Sequence, residues 1–214
     1  MSRRKVVSLC DRTGNMVKPW IDAGYNAVTV DLQPTERDWR DEPLRTHYVC
    51  DVTKLPIDFA VGALCVFAFP PCTHLAVSGA RWFKDKGLPA LIKGLTVVNS
   101  CREICEASGS PWMLENPVGT LATYWREPDY TFDPCDYGDP YTKKTCLWTG
   151  GGFVMPEKIS HGDMFAEPTR VEPTLGSMIH LMPPSEDRGD LRSITPMGFA
   201  RAVFRANGAA HVMP

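Results

Sequence analysis

Residues 62–74, Gly62-Ala63-Leu64-Cys65-Val66-Phe67-Ala68-Phe69-Pro70-Pro71-Cys72-Thr73-His74, decide the fold. From Gly62 to Phe69 the run is almost wholly apolar. That is the composition of a strand covered on both faces, as in a parallel sheet flanked by helices. Pro70 and Pro71 stop it, since neither can donate to a sheet ladder. Cys72 is therefore expected on a turn at the carboxyl end of a strand.

Outward from this run the same grammar repeats. Val6 to Cys10 is β-prone and gives way to the turn cluster Asp11-Arg12-Thr13-Gly14-Asn15. Met16, Trp20 and Ala23 then fall at helical spacing, with Gly24 placed to cap the end. Ala27 to Val30 predicts a second strand ending at Asp31, and Tyr48-Val49-Cys50 a third ending at Asp51. The charged stretch Pro34 to Leu44 reads as a loop or short surface helix. Beyond the prolines, Leu88, Leu91, Leu95, Val98, Cys101 and Cys105 recur at steps of three and four. This predicts an amphipathic helix over 88–107, ended by Gly109. Trp112-Met113-Leu114 predicts another strand, closing on Glu115-Asn116-Pro117. Later, Gly150-Gly151-Gly152 and the polar run from Pro156 to Asp190 read as loops, and Pro196 to Ala206 as a last helix. Strand, turn and helix in alternation specify an α/β fold, a doubly wound, mostly parallel sheet with helices on both faces.

The 214 residues, 43% hydrophobic, suffice for one core, so a single domain over 1–214 is expected. Eight scattered cysteines without a Cys-x-x-Cys pair read as reduced thiols. Cys101 and Cys105 suit a helix core better than a metal site, and no metal is expected. Met1 to Lys5 are basic but precede too short an apolar stretch for a signal peptide. No run is long enough to cross a bilayer, so a cytoplasmic location without membrane contact is expected. A net charge of −2 gives no bulk drive toward nucleic acid, although Lys143-Lys144 suits a local phosphate.

Ligands of doubly wound sheets bind beyond the carboxyl ends of the strands. That edge collects Asp11 to Asn15, Asp31, Asp51, Pro71-Cys72 and Glu115-Asn116. Asp31 is placed to accept from both hydroxyls of a ribose, and Asp51 from an adenine amino group. The turn at Gly14 lacks Gly-x-Gly-x-x-Gly and, alone, is an ordinary strand-to-helix turn. Cys72 alone also reads as a small buried residue, but its edge position suits a nucleophile. His74 is either a partner favouring thiolate or an ordinary polar contact. Glu115, if its strand neighbours that of Cys72, can act as a proton donor rather than a solvent-facing carboxylate.

At these residues the chain resembles the cytosine-C5 methyltransferases, particularly the short, phage-type members. Pro70-Pro71-Cys72 resembles the family's Pro-Pro-Cys nucleophile motif and Glu115-Asn116-Pro117 its Glu-Asn-Val, in the right order. The resemblance implies a Rossmann-like methyltransferase fold with S-adenosylmethionine as cofactor. It sets that molecule over the turn Leu9, Cys10, Asp11, Thr13 and Gly14, with Asp31 and Leu32 at its ribose, Asp51 and Val52 near its adenine, and Pro70 beside it. It makes Cys72, Glu115, Asn116 and Lys143 catalytic: Cys72 attacks C6 of cytosine, Glu115 holds or protonates N3, and C5 takes the methyl group. It gives Pro71, His74, Ser78, Lys144 and Thr145 to the substrate. Two departures stand out. Tyr137-Gly138-Asp139-Pro140-Tyr141-Thr142-Lys143-Lys144-Thr145 has Lys143 and Thr145 where the family has arginines, and lysine cannot replace arginine in a bidentate contact. Cys10-Asp11-Arg12-Thr13-Gly14 stands where Phe-x-Gly-x-Gly is usual, retaining only Gly14. Ser193-Ile194-Thr195-Pro196-Met197-Gly198 resembles the segment that returns to the cofactor side.

Family members that read duplex DNA insert a recognition domain where this chain has only about 148–192, room for a lid but for a minimal or absent target-recognition domain. DNA is the expected substrate, with phosphate contacts from Lys143, Lys144, Arg170, Arg188 and Arg192. A free pyrimidine nucleotide such as dCMP is the alternative, and a catalytically silent cofactor-fold protein the third reading. No obligate protein partner is implied, and a phage-type chain would work in its host's cytoplasm.

Overall fold

The computed structural model describes residues 4–35, 42–76, 83–159 and 194–208. β1 (Lys5–Leu9) runs parallel to β2 (Asn26–Asp31), which runs parallel to β3 (Arg45–Val49). On its other side β1 pairs in parallel with β4 (Val66–Ala68), and β4 with β5 (Trp112–Pro117). β7 (Thr145–Gly150) is antiparallel to both β5 and β6 (Tyr130–Phe132). The sheet order is β3-β2-β1-β4-β5-β7-β6. The chain leaves β1 in one direction and β4 in the other, so the topological switch point lies between β1 and β4, where doubly wound folds bind their ligands.

Period-two alternation divides the core. Val7 and Leu9, Val66 and Ala68, and Leu114 and Trp148 pack with Val98, Cys101, Ile104 and Cys105 of α2 (Phe83–Ala107) on one face. Val6, Phe67, Met113 and Leu147 pack on the other with Trp20 of α1 (Lys18–Asp22) and Phe199 and Val203 of α4 (Met197–Gly208). A further short helix, α3 (Leu121–Tyr124), follows β5. Helices thus cover both faces, and the fold is the expected Rossmann-like, mostly parallel α/β sheet.

The differences have local causes. Of the apolar run 62–69 only Val66–Ala68 is strand, because residues before it turn: Gly62 has φ +77° and the Ala63 amide donates to the Ala60 carbonyl. α1 shrinks to Lys18–Asp22, with Pro19 in its first turn. β3 begins three residues earlier than expected because Arg45 turns inward. α2 is broken at Gly87 (φ +65°, ψ −173°), which puts Pro89 in the first turn of the longer piece, where its missing N–H costs nothing. β6 and β7 were not expected, and β7 absorbs Trp148, Thr149 and Gly150 from the proposed lid. The rest of that segment from 160, including Arg170, Arg188 and Arg192, and the substrate residue Ser78 lie outside the described residues. Among the described residues no helix is long and apolar enough to cross a membrane.

Candidate active site

The turn after β1 is built by side chains where a glycine-rich loop would use bare backbone. Cys10 takes φ +54°, a left-handed conformation costly for a residue with a Cβ. Asp11 is buried; its Oδ2 accepts from Ser8 Oγ at 2.7 Å, and its Oδ1 from Gly14 N at 2.7 Å and Thr13 Oγ1 at 3.1 Å. Arg45 braces the turn from β3. Its guanidinium donates to the carbonyls of Arg12 (2.8 Å) and Thr13 (3.2 Å), to Thr29 Oγ1 (3.0 Å) and to Glu42 (3.1 Å). A Cβ on Gly14 would stand 2.5 Å from that guanidinium carbon, which explains the glycine. Asn15 then donates to the Thr195 carbonyl at 3.2 Å, tying the segment before α4 to the turn.

A cavity of about 350 Å³ opens at the carboxyl ends of β1 to β5. Cys10 to Thr13, Asp31, Leu32, Gln33, Cys50, Asp51 and Val52 form one end. Asp31 Oδ1 accepts from Gln33 N at 2.9 Å, and burial raises its carboxyl above the usual range against that bond. Asp51 caps the 3-10 turn Val52–Lys54; Oδ1 accepts from the Thr53 amide and hydroxyl at 2.9 and 2.8 Å, which holds its carboxyl below the usual range.

Phe69 to Thr73, Glu115, Pro117, Lys143 and Lys144 form the other end, and Val97 and Thr195 complete the lining. The β4–β5 register pairs Ala68 with Leu114, so Phe69 and Glu115 emerge side by side. Asn116, fully buried, donates from Nδ2 to the Pro70 carbonyl at 2.9 Å and links the two strand ends directly. Glu115 Oε1 lies 3.7 Å from Lys143 Nζ. Of the eight cysteines, Cys10, Cys50 and Cys72 reach the cavity. Cys10 touches Cys101 (Sγ to Sγ 3.8 Å), and this contact together with burial pushes its thiol well up, leaving it a poor nucleophile.

The cavity thus gathers Cys10, Asp11, Thr13, Asp31, Leu32, Asp51, Val52, Pro70, Pro71, Cys72, Glu115, Lys143 and Lys144 from the sequence reading. It leaves out four. Leu9 is core, and Gly14 sits behind the turn. Thr145 is buried with its hydroxyl on the Lys143 carbonyl at 2.7 Å, so as placed it cannot hold a base. His74 faces α2, its Cβ 3.3 Å from where a Cβ on Gly94 would stand. Asn116 is structural to the cavity rather than on its wall. Arg45 was missed because its charge reads as a surface strand end. Gln33 and Val97 carried no signal beyond their neighbours.

No protein-family model and no curated protein matches the sequence. Among solved structures, the chain is similar to an RNA methyltransferase from Salinibacter ruber bound to S-adenosylhomocysteine, at 18% identity and TM-score 0.37, over 74% of this chain and 85% of that one. A glycopeptide N-methyltransferase, MtfA, with the same ligand is similar at 15% identity and TM-score 0.34, over 62% and 52%. The antibiotic-resistance methyltransferase Kmr is similar at 15% identity and TM-score 0.33, over 52% and 57%. The chain spans little more than half the length of the latter two. At these scores the likeness adds nothing to what the sheet order shows.

Proposed function

We propose that this protein is an S-adenosylmethionine-dependent methyltransferase acting on C5 of cytosine in DNA, with Cys72 as nucleophile. One observation carries the reading: Cys72 and Glu115 share a single cavity with Asp31 and Asp51. A reactive end thus adjoins an end suited to a nucleoside.

The residues present fit the cofactor. Asp31 and Asp51 each keep an oxygen with no recorded partner among the described residues, acceptors suited to ribose hydroxyls and to an adenine amino group. The Cys10–Thr13 backbone, held by Asp11 and Arg45, offers a fixed wall beside Asp31, on the side away from Asp51. S-adenosylmethionine supplies an electrophilic methyl group on a sulfonium.

The remaining chemistry belongs to the chain. Cys72 adds as thiolate to C6 of the pyrimidine, which makes C5 electron-rich. Glu115 gives a proton to N3, where the negative charge of that addition would otherwise collect, and recovers it when Cys72 leaves; Lys143 Nζ stands 3.7 Å from its Oε1. After C5 is alkylated, its proton passes to solvent water, the C6–S bond breaks, Cys72 leaves as thiolate and the ring is restored. The Asn116 bond to Pro70 keeps thiol and carboxyl in one frame.

The test is to offer labelled S-adenosylmethionine with duplex DNA, single-stranded DNA, RNA and dCMP. Label in DNA at C5 of cytosine is expected. Folded protein that labels none of the four overturns the reading, and label in dCMP alone moves it to the free nucleotide. Replacing the C5 hydrogen by fluorine blocks the last proton loss, so Cys72 should stay joined to such a strand, visible as a mass increase.

A further inference from the structure

We propose that the cleft is flanked by a two-sided phosphate clamp, Lys86 and Lys93 of α2 on one side and Lys143 and Lys144 before β7 on the other, that grips successive phosphodiesters of a nucleic-acid strand. The inference rests on the cleft around Cys72 being a base-modifying site.

On the first side, Lys86 Nζ donates to the Thr73 carbonyl at 2.9 Å, the residue directly after Cys72. That contact uses one of three ammonium hydrogens and fixes the charge at the cleft mouth. Val97 lines the cavity, and Lys93, one helical turn earlier, shares its face of α2. Lys93 is close enough to Asp51 to help lower it, after the bonds from Thr53, and after burial it and Lys86 lower His74.

On the second side, β7 runs antiparallel to β5 with Thr145 opposite Pro117. The residues leading into β7 therefore arrive at the same edge as Glu115. Lys143 and Lys144 both line the cavity, and Lys143 Nζ stands 3.7 Å from Glu115. The whole chain carries a net charge of −2, so these cations are a local concentration and not general basicity.

The two-sided placement selects a strand over a mononucleotide. A nucleoside within a strand carries phosphate on both its 5′ and 3′ sides, whereas dCMP carries one. Lysine suits the task because a compact charge on a flexible stem meets phosphate without demanding one orientation. Such contacts position the strand and read no sequence.

The test is binding, followed by fluorescence anisotropy of a short labelled single-stranded oligodeoxynucleotide across a salt series, with dCMP binding measured in parallel. Lys86→Gln with Lys93→Gln should weaken strand binding about tenfold at low salt and flatten the salt slope by about 0.7 per lost contact. Lys144→Gln should act in the same direction. Lys158→Gln, whose lysine pairs with Asp136 off the cavity, should leave both quantities unchanged. Circular dichroism melting checks that each variant folds. Unchanged strand affinity and slope in the α2 double variant overturn the clamp, as does failure of the wild type to bind the strand. Equal loss of dCMP binding also overturns it, since one phosphate then suffices. A wild type that binds the strand with this slope yet methylates nothing defeats the methyltransferase reading and leaves the clamp standing.

Discussion

Cys72 is separated from Cys10, a second thiol at the cleft, by what surrounds it. Cys10 is in contact with Cys101 and pushed toward its neutral form, whereas Cys72 follows two prolines and adjoins the Glu115 strand end. Cys72→Ser should therefore lower methyl transfer on the order of a thousandfold or more while donor binding persists. Single-turnover labelling and donor-dependent melting read the two effects separately, and retained turnover would refute covalent attack. Glu115→Gln should cost about a hundredfold or more, because an amide supplies no comparable proton and loses the Lys143 pair. His74 gives a pH signature. Its Nδ1 is sealed without a recorded partner among the described residues, and burial, then Lys86 and Lys93, lower its pKa below the ordinary 6.5. The folded state thus resists protonation that the unfolded chain accepts. Stability from this group is whole above the ordinary value and is lost as pH falls below it. The urea midpoint should drop between about pH 7 and pH 5.5, and His74→Gln should flatten that drop. A midpoint that falls equally in both proteins assigns the loss elsewhere.

At the scale of elements, the turn after β1 depends on β3. Arg45 and Glu42 form a pair with side chains only 3% and 6% exposed, and the guanidinium also holds two turn carbonyls. Arg45→Leu should cost about 3–5 kcal/mol, measured by urea unfolding, because it takes the guanidinium from a buried carboxylate and from two turn carbonyls. Donor affinity should fall with it. A cost below about 1 kcal/mol would mean that the turn stands without its brace. None of this was legible beforehand, since an arginine in Pro34 to Leu44 and its flank looks like surface. The parallel strands β1, β2 and β5 were legible because each is an apolar run ending at a polar residue on one edge. Leu88 to Ala107 was legible because its apolar spacing survives the break at Gly87. β6 and β7 were hidden: Tyr130-Thr131-Phe132 is only three residues, and Thr145-Cys146-Leu147-Trp148 is buried on both faces without strict alternation. The cleft residues at strand ends were found because topology alone assigns them. The inward turn of Thr145 was not legible, because a motif position does not say which way a side chain turns.

For the whole molecule, the switch point divides the labour. β2 and β3 bring Asp31 and Asp51 to one end of the cavity, and β4 and β5 bring Cys72 and Glu115 to the other. A donor bound between them should stabilise the folded chain by mass action alone. At about a hundredfold excess over Kd that is about 2.7 kcal/mol, or about 5–10 °C in Tm for a chain of this size. S-adenosylmethionine and S-adenosylhomocysteine should both produce the shift, because Asp31 and Asp51 meet the nucleoside that the two share. Asp31→Ala should remove most of the shift and Cys72→Ser none of it, because only the first lies at the nucleoside end. Absence of any shift with either sulfur compound would overturn the donor assignment even if the protein bound DNA. Equal shifts in the wild type and Asp31→Ala would instead move the donor away from β2.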